Sequence, residues 1–440
     1  MPVILSMTEL PTADGLTTLI ARRATALKVT RAAVVCFGPS GEVTCEFPAG
    51  ASARMSLSGP VRVSCVAKLT TATLVLHAVN EGRLRLDDRL GGLLAKSGVE
   101  AVPAQLSDIV LYQLLDHSHG LDGADLSGVG ADCAGRIDLI DICARLANQE
   151  PLHAPGAIYS YGVSGYLLLG ALLEHVYDAR YYDLLEACIL RPIGATESNP
   201  PAIRHTICPS TGGALRLSAR SAKRLLALYW RQVRQSPADS TGLSIKRLMD
   251  EVRPLPGHSS RDTGFTLGWR HQAGGWLNWV GRDASGEVLS LRSNPQTGSG
   301  LVVTGSEPRT YLLAEQLHAD IWHLHDDRGL FTAAGKCEPI DPSCYLGTFA
   351  DSKTTLKVED SCGTMTMTIS HRQTGTSRVS PPSRKTLRCI GPHAFLCLPA
   401  EAHAFHHQFF QFIGSGTARR FSYLWNGSRV WPRRSQQPAS

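Results

Sequence analysis

The sequence predicts a mixed α/β (α+β) architecture: an antiparallel sheet flanked by helices and interrupted by an all-helical insertion, with a small antiparallel β domain after it. Three features carry that expectation. β-rich runs occur near both ends of the first three quarters of the chain. They flank a long helical middle, so one sheet has to be completed from two distant segments. Past residue 343 the helical period disappears and short strand-like runs follow one another.

Residues 11–27 read as an opening helix, because Leu16, Ile20, Ala24 and Leu27 share a face. Residues 29–37 and 43–47 are β-rich and joined by Gly38-Pro39-Ser40-Gly41, a hairpin signal. Within residues 61–90 a polar elbow, Ser64-Cys65, opens a long apolar helical run. From 101 to 253 the pattern is mostly helical, clearest over 167–176 and 218–233, with a loop at 120–130. Strand signals return at 265–269, 276–280, 287–292 and 301–304, and 310–325 reads as a helix. Asn294-Pro295-Gln296-Thr297-Gly298 is the turn before the last of those strands. Residues 326–343 are polar, with Gly329, Gly335, Pro339 and Pro342, and read as a linker. Two domains are therefore expected, 1–327 and 343–440. In the second, residues 345–349, 355–358, 364–369, 394–398 and 421–425 suit a small barrel or sandwich.

A chain of 440 residues accommodates one large domain and one small one. With 43% hydrophobic and 19% charged residues and no low-complexity tract, the composition is ordinary and globular. The net charge of +6 is modest, and the one basic cluster is Trp431-Pro432-Arg433-Arg434, so nucleic acid is not an expected partner. The first residues, MPVILSMTELPTADG, lack a basic region followed by an apolar core, and no run reaches transmembrane length. The expectation is a cytoplasmic protein with no membrane partner. Twelve cysteines without C-x-x-C or zinc-type spacing then read as reduced thiols. His318, His323 and His325, and His403, His406 and His407, group in sequence without carboxylate or cysteine partners at ligand spacing. Neither a metal nor an organic cofactor is expected.

Cys65 stands apart from the other cysteines by its neighbours. Lys68 follows three residues later, which puts both side chains on one helical face. A thiol at a helix N-terminus beside a cation has a depressed pKa and more thiolate at neutral pH. Ser64, four residues from Lys68, is an alternative nucleophile, but a shift of one residue turns a side chain by roughly 100° around a helix.

Residues 61–90 resemble the nucleophile segment of the serine β-lactamase and penicillin-binding-protein superfamily, in its class C β-lactamase, esterase and D-peptidase branch. There S-x-x-K opens the central helix. Cys65 takes the place of the serine and Lys68 that of the lysine. Glu81-Gly82-Arg83-Leu84 and Leu86-Asp87-Asp88 match the end of that helix. The resemblance covers about residues 11–324 and implies the same sheet with its helical insertion. The C-terminal segment resembles the lipocalin-like domain that some members carry.

The resemblance implies two further motifs. For Tyr-x-Asn, residues 155–166 align, followed by Leu169-Gly170 and Glu174, so Tyr161 takes the tyrosine's place. This phenol would shuttle protons once a nearby lysine lowers its pKa. Val163 stands at the asparagine's substrate-binding place, so substrate recognition must differ. Residues 114–121 match a scaffold motif in which His117 is structural. For Lys-Thr-Gly or His-x-Gly, expected a dozen or so residues after Leu267-Gly268-Trp269, the chain offers Gly281-Arg282-Asp283-Ala284-Ser285-Gly286. Arg282 keeps a cation for a substrate carboxylate or carbonyl, with Asp283 beside it, and Ala284 replaces the glycine. The backbone amides of Cys65 and Ser285 are the expected oxyanion hole.

The expected function is acyl transfer through an acyl-thioester on Cys65, with Lys68 and Tyr161 handling protons. Exchange of thioester for thioester is nearly thermoneutral, whereas thiolate attack on an amide is uphill, so a thioester donor is favoured. Thioesters prefer amines to water, so the favoured outcome is amide formation. The chain is similar in this to penicillin-binding-protein-type thioesterases of nonribosomal peptide pathways, which release or cyclise carrier-bound peptides. The implied partners are an acyl or peptidyl thioester, free or on a carrier protein, and an amine acceptor. Two alternatives stay open: an esterase, D-peptidase or β-lactamase-type hydrolase, and a catalytically retired relative that binds a ligand in the old cleft. Against retirement, Lys68 and Tyr161 stand unaltered and one nucleophile replaces another.

Overall fold

The computed structural model describes residues 10–48, 57–122, 129, 136–196, 215–237, 239, 241–254, 262–283, 285–324, 341–372, 381–391, 393–398, 409–414, 421–426 and 429–434. Most of the stretch read as a linker, 326–343, lies outside these residues, as do Ala284, His325, His403, His406 and His407.

The first part of the chain builds one eight-stranded antiparallel sheet from both of its ends. Helix α1 (Ala13–Leu27) and strands β1 (Ala32–Gly38) and β2 (Gly41–Phe47) come from the N-terminal side. Helices α2 (Ala67–Asn80), α3 (Ser164–Tyr177) and α4 (Ala219–Gln235) belong to the middle. Then come β3 (Arg253–Pro254), β4 (Asp262–Thr266), β5 (Trp269–Gln272), β6 (Trp276–Arg282), β7 (Val288–Asn294), β8 (Ser299–Gly305) and α5 (Thr310–Ile321). The strand order is β2-β1-β8-β7-β6-β5-β4-β3, so β1 pairs directly with β8, Val34 opposite Val303.

Alternation along β1 sets the two layers. Ala32, Val34 and Cys36 pack with Leu16, Ile20 and Ala24 of α1 and with Leu313, Ala314 and Leu317 of α5. Ala33 and Val35 turn to the other face, into the core shared with α2, α3 and α4. Residues 265–269, expected as one strand, are instead a hairpin corner. Leu267 (φ 37°) and Gly268 (φ 81°) take the left-handed turn between β4 and β5. The period-2 pattern continues through the corner, which is why the run read as unbroken.

Helix α2 is the centre of this domain. It is buried nearly all round, from Ala67 to Val79, as a helix without a polar face must be. Gly82 (φ 71°) ends it in the left-handed conformation, where the Gly82 and Arg83 amides bond back to Val79 and Ala78.

The C-terminal part is a closed eight-stranded barrel, β9 (Gly347–Ala350), β10 (Thr354–Ser361), β11 (Thr364–His371), β12 (Ser383–Gly391), β13 (Ala394–Leu398), β14 (Phe409–Ile413), β15 (Tyr423–Trp425) and β16 (Val430–Arg434). Phe349, Leu356, Met367, Phe395, Phe412 and Leu424 fill its interior with side chains. It docks on the first domain through Leu152, Tyr159 and Phe265, which pack against Ala394, Trp425 and Val430. Ser352 N donates to Asp122 Oδ2 at 2.7 Å, Val430 N to Ser160 Oγ at 3.3 Å, and Arg434 pairs with Glu150. Among the described residues no helix is long and apolar enough to cross a membrane. Phe349→Ala empties a fully buried ring site in the barrel. It is expected to cost about 3–5 kcal/mol of local unfolding free energy, read as lost hydrogen-exchange protection across β9–β11.

Candidate active site

Cys65 lies in a short 3₁₀ turn, Ser64–Val66, that feeds directly into α2. The residue before it, Ser64, has φ 45°, a left-handed conformation that a non-glycine residue adopts at a cost. Two bonds hold the elbow against the sheet: Ser64 Oγ donates to Arg282 O at 3.0 Å, and Trp279 Nε1 donates to Cys65 O at 3.1 Å. Ser64 Oγ also lies 3.9 Å from Cys65 Sγ and donates to it. Ser64 therefore supports the thiol from the side, and its hydroxyl is already committed to the strand.

One turn into α2, Lys68 is 1% exposed. Its Nζ donates to Tyr161 Oη at 2.8 Å and lies 4.8 Å from the centroid of that ring. Tyr161 and Cys65 act on each other's titration: the phenol lowers the thiol's pKa and the thiolate raises the phenol's. Tyr161, 93 positions beyond Lys68, is thus brought to the elbow that carries Cys65 and Lys68. Burial alone would push the Cys65 thiol up. The Lys68 charge and hydrogen bonds from Tyr161, Ser64 and its own backbone outweigh it, and the net shift is down. Burial lowers Lys68, the Cys65 charge partly offsets this, and Arg429 lowers it further. Tyr161 departs from expectation: its pKa lies well above the usual phenol value, because burial and the facing Cys65 charge both oppose a phenolate. A raised pKa favours the protonated phenol over the phenolate.

The Tyr161 loop is fastened from His117, whose φ is 59°. Ser160 N donates to His117 O at 2.9 Å and Gly162 N to His117 Nδ1 at 3.4 Å, with the His117 and Tyr161 rings 4.7 Å apart. Burial, followed by the Lys68 charge, pushes His117 well below the ordinary imidazole value. A neutral ring is what accepts the Gly162 amide.

The third motif falls in a different register from the one expected. Trp279 and Gly281 of β6 face α2, and a Cβ on Gly281 would stand 2.1 Å from Val63 O. Gly281 is where the described strand backbone passes close to the nucleophile elbow. Alternation then sends the Arg282 side chain to the opposite face, where its charge acts on Tyr311 of α5. Arg282 is not brought to Cys65 as a substrate cation. Its backbone is: the carbonyl accepts from Ser64, and in a strand the N–H of a residue points to the same edge as its carbonyl. The Arg282 amide therefore points to the strand edge that meets the elbow. Asp283 and Ser285 belong to the turn beyond. Ser285 Oγ donates to both Asp283 carboxylate oxygens, at 2.7 and 2.8 Å, and Glu287 N donates to Asp283 at 2.9 Å.

Val163 is the N-cap of α3 and lines a small cleft with Asp122, Ser160, Tyr161 and, from the barrel, Asp351 and Arg429. Burial and the nearby Asp122 charge raise the pKa of Asp351, while Arg429 lowers it. Arg429 is a site residue that sequence reasoning missed. The signal on hand was local: Asn426-Gly427 marks a hairpin turn, and Asn426 indeed caps it by accepting from Arg429 N at 2.9 Å. Gly281 was also missed, although a glycine inside a strand often marks close backbone approach. Among the described residues no group of three or more His, Cys, Asp or Glu is placed to hold a metal ion.

A family model described as Beta-lactamase matches residues 48–319, more than half of the chain. Penicillin-binding protein 4 of Amycolatopsis lactamdurans is 33% identical over 136 residues, 30% of this chain and 34% of that protein. The chain thus matches about a third of the length of that curated relative. The crystal structure of SurE with D-Leu is similar with a TM-score of 0.68 at 21% identity, over 96% of this chain and 99% of that one. The D-amino acid amidase from Ochrobactrum anthropi SV3, complexed with L-phenylalanine, has a TM-score of 0.54 at 15% identity, over 71% and 99%. At such identities the likeness is one of fold.

Two measurements check the site. Alkylation of Cys65 by iodoacetamide should have a pH midpoint below that of an ordinary thiol, since its pKa is lowered. Lys68→Met should move that midpoint up and slow alkylation at neutral pH. Gly281→Ala forces the elbow away from the strand, and a displacement of that kind is expected to cost about 10²-fold in acylation rate, measured by stopped-flow with an activated ester.

Proposed function

The chain belongs to the Beta-lactamase family, and from that premise we propose that it is an acyl-transfer enzyme with Cys65 as nucleophile and an acyl-thioester intermediate. The observation that carries this reading is the buried Lys68, hydrogen-bonded to Tyr161 one turn beyond Cys65. A depressed thiol beside a buried lysine is an activated nucleophile. The proton released on attack has an acceptor in Lys68 Nζ, and the protonated Tyr161 hydroxyl is placed to return one to the leaving group. The backbone amides of Cys65 and Arg282 form the oxyanion site, both aimed at the edge of β6.

A cysteine in this place favours a thioester donor and an amine acceptor, because thioester exchange is near balance and aminolysis outruns hydrolysis. The reaction supported is release, cyclisation or ligation of a peptidyl thioester in the making of a small peptide product, inside the cell. D-Leu in the neighbouring SurE structure and the D-amino acid amidase support a D-configured residue at the acyl position. Arg429, at the cleft that begins beside Tyr161, suits a carbonyl or carboxylate of the bound chain. It takes the role expected of Arg282. A retired binding protein would have no use for a lysine kept buried against the nucleophile.

The test is intact-protein mass after incubation with peptidyl N-acetylcysteamine thioesters carrying a terminal D-residue. An acyl mass on Cys65, absent from Cys65→Ala and discharged faster by amines than by water, is expected. Lys68→Ala should slow its formation by about 10²–10⁴-fold, the usual weight of a general base. Arg429→Ala should raise KM more than it lowers kcat. No adduct with any donor would favour a binding protein, and an adduct discharged by water alone would favour a hydrolase.

A further inference from the structure

Lys68 stands one turn after Cys65 where the elbow feeds into α2, so its amine shares a face with the thiol, and its Nζ donates to Tyr161 Oη at 2.8 Å. Nζ is also 4.8 Å from the centroid of the Tyr161 ring and 5.8 Å from that of Tyr166, in a position closed to solvent. An acyl group on Sγ would thus sit beside a primary amine with little water to compete. We propose that Lys68 is itself a second acyl acceptor: when no external amine arrives, the acyl group on Cys65 passes to Lys68 Nζ as an amide, ending activity, and the Tyr161 hydroxyl restrains this transfer. This rests on the thioester reading above.

The step balances without any co-reactant. The Nζ lone pair attacks the thioester carbonyl, the C–N bond forms, and the C–S bond breaks with sulfur leaving as thiolate. The extra proton on nitrogen passes to that thiolate, directly or through Tyr161, and restores the Cys65 thiol. The product is a free thiol beside a stable amide. An oxygen ester would give the same amide far more slowly, so the hazard is particular to a cysteine in this place.

Acylation also changes the lysine. The negative charge on Cys65 is the influence that holds the Lys68 pKa up, whereas burial and Arg429 push it down. Once Cys65 is acylated that charge is gone, and the neutral, nucleophilic amine is favoured when a thioester is next to it. The Tyr161 O–H, no longer drawn to a thiolate, turns to the lone pair of the amine and occupies it. Removing that hydroxyl releases the amine.

The experiment loads the full chain, wild type and Tyr161→Phe, with the N-acetylcysteamine thioester of N-acetyl-D-leucine in the absence of any amine. Timed samples are split, one half is treated with neutral hydroxylamine, which cleaves thioesters and spares amides, and both are read by intact mass and peptide mapping. The expected result is an early, hydroxylamine-labile acyl group on Cys65 that converts to a resistant one on Lys68 as the Cys65 thiol becomes alkylatable again. The converted fraction of acyl-enzyme should grow about tenfold faster in Tyr161→Phe, the scale of one lost hydrogen bond, and added amine should suppress it. If all acyl stays labile on Cys65 in both proteins, the inference is overturned and the thioester reading stands. Resistant acyl spread evenly over other lysines overturns it as well, as direct aminolysis of the donor. No acyl on wild-type Cys65 overturns both.

Discussion

A lysine with 1% of its surface exposed sits on a helix that is buried nearly all round, and much of the fold near the site makes that tolerable. Burying an ammonium is expensive unless it is paired or loses its proton. Here both routes are open: Tyr161 Oη takes a hydrogen bond at 2.8 Å, Cys65 offers a negative charge, and burial lowers the lysine's pKa. The same pairing that relieves Lys68 activates Cys65. The stability problem and the chemistry therefore have one solution, and neither partner can be changed without exposing the other's cost.

The surrounding structure aims these groups. His117, held neutral by burial, fastens the Tyr161 loop through Ser160 and Gly162. Gly281 lets β6 pass so close to Val63 that the elbow and the strand edge share hydrogen bonds through Ser64 and Trp279. The barrel is a wall of the same cleft: Trp425 and Val430 pack on Tyr159 and Phe265, near Tyr161, and Arg429 follows from that docking. The interior of the barrel is filled by aromatic and aliphatic side chains, so its contribution to the site comes from its edge.

Much of the architecture was legible because burial writes a period into the chain. Residues 29–37 read as a β-rich run and form β1, and helix α1 shows its buried stripe of Leu16, Ile20 and Ala24. Where the pattern ran through a corner, at Leu267-Gly268, the sequence reading merged two strands into one. The third motif shows the same limit. A register counted along the chain put the close glycine at 284, whereas the strand meets the elbow at Gly281, three residues earlier.

By itself the sequence determined the local facts: a thiol and an amine one helical turn apart, a tyrosine before an apolar helix, and a strand-rich tail. These depend on spacing along one element, which helix and strand geometry convert directly into direction. Only the tertiary structure decided the rest. Whether Tyr161 is a base or a donor depends on burial and on the charge it faces. Whether Arg282 offers its side chain or its amide depends on which sheet face the elbow docks against. Whether an arginine 361 positions beyond Lys68 reaches the cleft depends on how two domains pack. Those are properties of surfaces brought together, and a one-dimensional pattern carries no term for them.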